Sequence, residues 1–249
     1  DINEVPELLT PHPELIPVEK VLKGLPKLRS GISKSADGKE EWKAAIHEMG
    51  KLNFKKDISQ EVWLKMLEEA IDLTAPQKNR GGSFIPSEAD VDYNPDWYLD
   101  KKIKGVCNHE TRSHIKEDLW RYLFVSCFAK VNKKSPKLED FPNILLPRHK
   151  NINTNKFNDR FRVQLEGEPS KTVTSHISKD GHYFIHPDPG QCRSLTVREA
   201  AQVLRVSPLT LKRWGKRGKL PAIRINSRGD RRYRKEAILY LLGIQVKED

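Results

Sequence analysis

Apolar residues along this chain keep a helical period in some stretches and an alternating one in others, and their order predicts a mixed α+β fold. Between Ser59 and Leu73, Val62, Trp63, Met66, Leu67, Ala70 and Ile71 recur at i, i+3 and i+4, giving a helix one apolar face, with Ser59 as its N-cap. Lys39 to Met49 predicts a second helix. Thr111 to Val131 predicts a longer one, with Ile115, Leu119, Tyr122 and Leu123 in a strongly apolar stripe, and Pro136 and Pro142 stop it. Trp63, Trp120, Tyr122 and Phe124 fall on these stripes, so they read as core rather than as a base-stacking platform. Arg160 to Leu165, Thr172 to Ile177 and His182 to His186 read as strands, the last two joined by an Asp180-Gly181 hairpin turn. Pro26 limits Val18 to Ser33 to short helical pieces. Ala75 to Asp100 is rich in Pro, Gly, Asn and Asp, which predicts a loop and the least ordered part of the chain.

The pattern sharpens after Ser194. Thr196-x-x-Glu199 is a capping box, in which hydroxyl and carboxylate each satisfy a free N–H of the first helical turn, so a helix starts at Val197. Ala200, Ala201 and Leu204 share one face of it. Ser207-Pro208 supplies an N-cap and a proline at the first helical position of a second helix, which ends at Gly218. On that helix Leu211 and Trp214 face inward, leaving Leu209, Thr210, Lys212, Arg213 and Lys216 outside. Two short strands around Ser227 to Asp230 follow and form a basic wing, and Lys235 to Leu242 closes the unit with an apolar face.

Charge separates the chain into two parts. Of the net +11, residues 194–249 carry +9, from fourteen Lys or Arg against five Asp or Glu, whereas 1–193 carry +2. A helix, short turn, helix and basic wing in one segment suit duplex DNA, although a charge run alone is usually a solvated face. The expected domains are therefore 1–193 and 194–249. Thr210, Lys212 and Arg213 are the candidate groove-facing residues, Lys216 is a further DNA-binding candidate, and Arg224, Arg228, Arg231, Arg232 and Arg234 are the candidates for phosphate or minor-groove contact.

Other chemistry is sparse. Cys107, Cys127 and Cys192 are widely spaced without a CxxC pair, which argues against a disulfide framework and fits a reducing cytoplasm. Cys107, His109 and His114 form C-x-H-x4-H, and His182 and His186 flank an apolar run, but no fourth ligand accompanies them and no metal site is expected. No apolar run approaches the roughly 20 residues of a membrane span. The chain opens at Asp1 within a Pro-rich stretch, as a fragment or processed piece would.

Two resemblances frame these residues. Pro169 to Ala201, ending in Arg193-x-Leu195-Thr196-x-Arg198-Glu199-Ala200-Ala201, resembles the end of the target-recognition region of bacterial DNA cytosine-5 methyltransferases. Leu25 to Ser33, Asn108 to His114, Asp140 to Asn151 and Phe157 to Leu165 extend the likeness over about residues 1–201. In that family a cytosine is flipped out of the duplex, attacked at C6 by a Pro-Cys cysteine and methylated from S-adenosylmethionine. The resemblance implies that Thr172-Val173 lies near the flipped base and that the Arg193 to Ala201 segment holds the recognition region in place. Leu195 to Leu242 resembles an excisionase or MerR-like winged helix-turn-helix, which implies DNA binding and often a homodimer. The chain departs from the methyltransferases in lacking their Phe-x-Gly-x-Gly cofactor loop, Pro-Cys and Glu-Asn-Val motifs. The expectation is sequence-specific duplex binding with no catalytic residue and no cofactor in this chain. The alternative is the recognition portion of a split or truncated methyltransferase of a restriction-modification system, with a separate catalytic chain binding S-adenosylmethionine.

Overall fold

The computed structural model describes residues 15–87, 91, 93–95, 102–147, 161–170, 184–203, 206–210 and 213, and the backbone of 222–224 and 231–233. Helices α1 (Val18–Leu22), α2 (Lys39–His47), α3 (Gln60–Ile71), α4 (Lys116–Asn132) and α5 (Val197–Val203) are joined with strands β1 (Gly31–Ile32), β2 (Gly81–Pro86), β3 (Gly105–Glu110), β4 (Ser113–His114), β5 (Ala222–Arg224) and β6 (Arg231–Tyr233). The strands form two-stranded pairs: β1 with β4 in parallel, β2 with β3 and β5 with β6 antiparallel. The expected α+β class is what forms.

Helix α4 is the axis of the core. Leu119, Tyr122, Leu123, Phe124, Val125 and Cys127 occupy all sides of it and are all buried, as a helix apolar around its whole girth must be. α2 packs on it through Trp42, Ala45 and Ile46, and α3 through Val62 and Met66. The Trp120 indole N–H donates to Ala45 O at 2.6 Å, which satisfies the one polar atom that ring buries. Arg121 is also buried, and its guanidinium donates to Leu145 O, Leu146 O and Asp118 Oδ1, tying the turns after α4 back onto it. Lys133 ends α4 in the left-handed region at φ 53°. The α3 stripe is narrower than its spacing predicts. Ser59 caps the helix by accepting from Val62 N, but Ile71 is 78% exposed, while Ala70 and Leu73 on either side of it pack into the core.

Three expectations are corrected. The predicted helix over Thr111 to Val131 starts five residues late: Ser113–His114 pairs with β1, Thr111 Oγ1 donates to Arg29 O, and Ile115 is the extended N-cap. Glu117 and Asp118 then sit in the first turn, where the helix dipole favours negative charge. Within the loop predicted over Ala75 to Asp100, Gly81–Pro86 is strand β2, paired with β3 along its length. Gly81 has φ +77°, and a Cβ there would lie 2.0 Å from His109 O, so glycine is what the strand pairing requires rather than a loop marker. Thirdly, 161–165 and 184–186 are not continuous strands. Val163 bridges Ile185 in parallel, and Ile185 bridges Ser194 antiparallel, so 184–186 is clasped between two extended segments by single bridges. Thr172 to Ile177, the turn at Ser178 to Gly181, His182 and the helix expected over Lys235 to Leu242 lie outside the described residues.

Among the described residues, no helix is long and apolar enough to cross a membrane.

Candidate nucleic-acid interface

The segment leading into the C-terminal part is anchored before the interface begins. Arg193 is 1% exposed and Glu199 1%, and they form a two-pronged pair: Nη1 donates to Oε2 and Nη2 to Oε1, each at 2.6 Å. The same guanidinium donates to Leu28 O, Gln191 Oε1 and Ser194 O, so each of its nitrogens has an acceptor. Burial opposes charge on Glu199, but Arg193 beside it holds its carboxyl well below the usual carboxylate range. Glu199 also accepts from Thr196 N at 2.8 Å while Thr196 Oγ1 accepts from Glu199 N at 3.2 Å, completing the predicted capping box.

The neighbours of α5 use the rest of its surface. Its Ala200 and Ala201 are fully buried, and α5 packs on β3 and α1. Thr196 Oγ1 lies 2.9 Å from His109 Nδ1, whose Nε2 lies 2.8 Å from Pro26 O. Because a carbonyl can only accept, Nε2 carries the hydrogen and Nδ1 accepts from the threonine hydroxyl. Arg198 Nε donates to Cys107 O. Leu195 packs with Phe184, Leu22 and Val203 in a small second core. His186 Nδ1 accepts from Asp188 N, and its Nε2 stands 3.5 Å from Glu199 Oε1. Burial, then Arg193, push His186 below its ordinary value; burial does the same to His109. Of the four histidines named in the sequence, His109 and His186 thus have protein partners, and His114 Nδ1 meets Tyr122 OH at 3.0 Å. The Arg193–Glu199 pair spans the domain boundary expected at 193/194.

The chain leaves α5 with Val206 N donating to Ala201 O and then turns at once into a new helical segment, 208–210 with 213. Ser207 caps it as expected: its Oγ accepts from Thr210 N at 2.9 Å and lies 2.8 Å from Thr210 Oγ1. Thr210 is therefore half-buried with its hydroxyl engaged, whereas Leu209 is 53% exposed and Arg213 is exposed. Further on, β5 and β6 run antiparallel with Ile223 opposite Arg232 and Arg224 opposite Arg231, where two short strands were expected. Lys212, Lys216, Arg228, Arg234, Thr172 and Val173 lie outside the described residues. The spacing of apolar residues gave no hint of the buried network joining Arg193, Glu199, Gln191, His109 and His186; only the Arg-x-Leu-Thr-x-Arg-Glu-Ala-Ala run signals it.

Comparison with known proteins agrees with this two-part description. Residues 194–242 match the family model of a helix-turn-helix domain. A stretch of 99 residues, 40% of the chain, is 59% identical to a type II methyltransferase of Bacillus paralicheniformis. The chain spans about a fifth of the length of that curated relative, 21%. No solved structure matches. A methyltransferase-related part is thus joined to a helix-turn-helix segment whose first helix is embedded among residues preceding it.

Proposed function

We propose that the protein binds double-stranded DNA at preferred sequences, without catalysis by this chain, through the helix-turn-helix and hairpin of residues 194–249. The observation that carries this reading is the Ser207-capped helical segment presenting Leu209 and Arg213 to solvent directly after an immobilised first helix. The hairpin supports it. Its register pairs position 224 with 231 and 223 with 232, so three arginine positions, 224, 231 and 232, fall in one short strand pair of a basic segment. Thr210, Lys212 and Arg213 serve the groove, with Lys216 a further DNA contact; Arg224, Arg228, Arg231, Arg232 and Arg234 serve phosphates or the minor groove. The test is titration of the intact chain with duplex DNA at several salt concentrations. Binding should weaken steeply with salt, and Arg231→Ala should lower affinity for all duplexes while reducing the salt slope by about 1. Salt-independent binding, or none, would remove the reading.

The 59% identity to a methyltransferase favours a second reading, in which residues 1–193 are a target-recognition region working with a catalytic chain that binds S-adenosylmethionine. There Thr172 and Val173 would lie beside the flipped cytosine. Selection from a randomised duplex pool separates the two: a motif altered by Thr172→Ala and indifferent to Arg213→Ala favours the methyltransferase-type recognition, and the opposite pattern favours the helix-turn-helix.

A further inference from the structure

The segment starting at Ser207 offers its two described side-chain types unequally. Thr210, the polar residue nearest its start, spends its hydroxyl on Ser207 Oγ at 2.8 Å and is half-buried. Leu209, beside it, is 53% exposed, and Arg213, four residues on and so on the same helical face, is exposed as well. Among the described residues, the segment thus turns an isobutyl group to solvent one turn from a guanidinium. In the major groove of DNA these two chemistries have distinct counterparts: an arginine pairs with the O6 and N7 acceptors of guanine, and an apolar side chain has only one apolar feature to meet, the methyl group on C5 of a pyrimidine.

We infer that Leu209 is a specificity-determining residue that reads the C5-methyl group of a pyrimidine, next to a guanine read by Arg213. The inference rests on the DNA-binding reading above. Its geometry requires a helix held firmly against the groove, and the short path from α5 supplies this: Val206 N is bonded to Ala201 O, and Ala201 is fully buried. Thr210, whose hydroxyl lies 2.8 Å from Ser207 Oγ, helps close the first turn of the helix. Thymine and 5-methylcytosine both present that methyl, so the shared chemistry is a C5-methylated pyrimidine in the major groove.

The experiment uses the full chain. A motif is first selected from a randomised duplex pool, and the selected duplex is then synthesised with thymine replaced by uracil, and cytosine by 5-methylcytosine, one position at a time. Removing one particular thymine methyl should weaken binding about fourfold, the value of burying one methyl-sized group, and the same exchange should have no effect on Leu209→Ala. A cytosine position at which 5-methylation strengthens binding, again only with Leu209 present, would assign the source to methylated cytosine instead and equally support the inference. Thr210→Val, which keeps the shape and removes the hydroxyl, should leave these methyl preferences unchanged. If a motif is selected but every methyl exchange is neutral, or if Leu209→Ala keeps the same methyl preference, the inference is overturned while the DNA-binding reading stands. If no motif is selected, the reading beneath it falls and takes the inference with it.

Discussion

Two helix starts, eleven residues apart, are capped by the same chemistry and meet opposite surroundings. Thr196 caps α5 and Ser207 caps the segment after it, each hydroxyl accepting from the N–H three residues on. Yet the first turn of α5 carries a buried Glu199 locked to Arg193, while that after Ser207 exposes Leu209 and leads to an exposed Arg213. A cap states where a helix begins and nothing about what will cover it. Among the described residues, the first helix is enclosed by its neighbours and the next segment is open to solvent.

Breaking the first helix should have the largest effect. Glu199→Ala leaves the buried Arg193 charge without its carboxylate, which should cost about 3–5 kcal/mol of unfolding free energy in urea titrations. Replacing both members with apolar residues of similar volume should recover most of that loss. A loss below about 1 kcal/mol would mean that α5 is not the anchor described. Arg213→Ala probes the other side. Duplex affinity should fall by about 1–3 kcal/mol in a binding titration, with thermal stability nearly unchanged. A destabilised chain would show instead that Arg213 is structural.

Smaller effects sharpen the contrast. Ser207→Ala should cost about 1 kcal/mol, felt locally as faster hydrogen exchange at Thr210 N–H, with no change at α5. Acid should act at α5 and spare the segment after it. His186 faces Arg193, Glu199 and Asp188, and His109 faces Thr196 and Pro26; burial keeps both neutral in the fold. Since their folded values are lowered from 6.5, the unfolded chain binds more protons there. Their stability contribution is complete above that value and is lost as pH falls below it toward the folded values. Urea unfolding between pH 8 and 5 checks this; a stability that rose on acidification would refute the neutral assignment. Asp188 works at lower pH: although burial opposes its charge, hydrogen bonds from Lys27 and Gln191 hold it at about 2, so its contribution persists until the medium is strongly acidic.

Much of this was legible one residue after another. The caps at Ser59, Thr196 and Ser207, the end of α4 before Pro136, and the short strands around 227–230 depend on neighbours within a few positions, where hydrogen-bond geometry is local. The contrast in charge between residues 1–193 and 194–249 is likewise a property of the sequence alone. Strand β2 was hidden because its partner lies about 25 residues away, and a Gly-Gly pair that marks loops locally becomes a close backbone contact only once His109 is brought against it. The late start of α4 had the same cause, a parallel pairing with residues some 80 positions earlier.

Composition and capping determined that this chain has helical starts at 197 and 208 and a basic C-terminal part. Only the tertiary structure decided which of those helices is buried. That choice follows from distant residues: Leu28 O accepts from the guanidinium of Arg193, and His109, held by Pro26 O, meets the hydroxyl of Thr196, since a charge or hydroxyl can leave water only where its partners already stand.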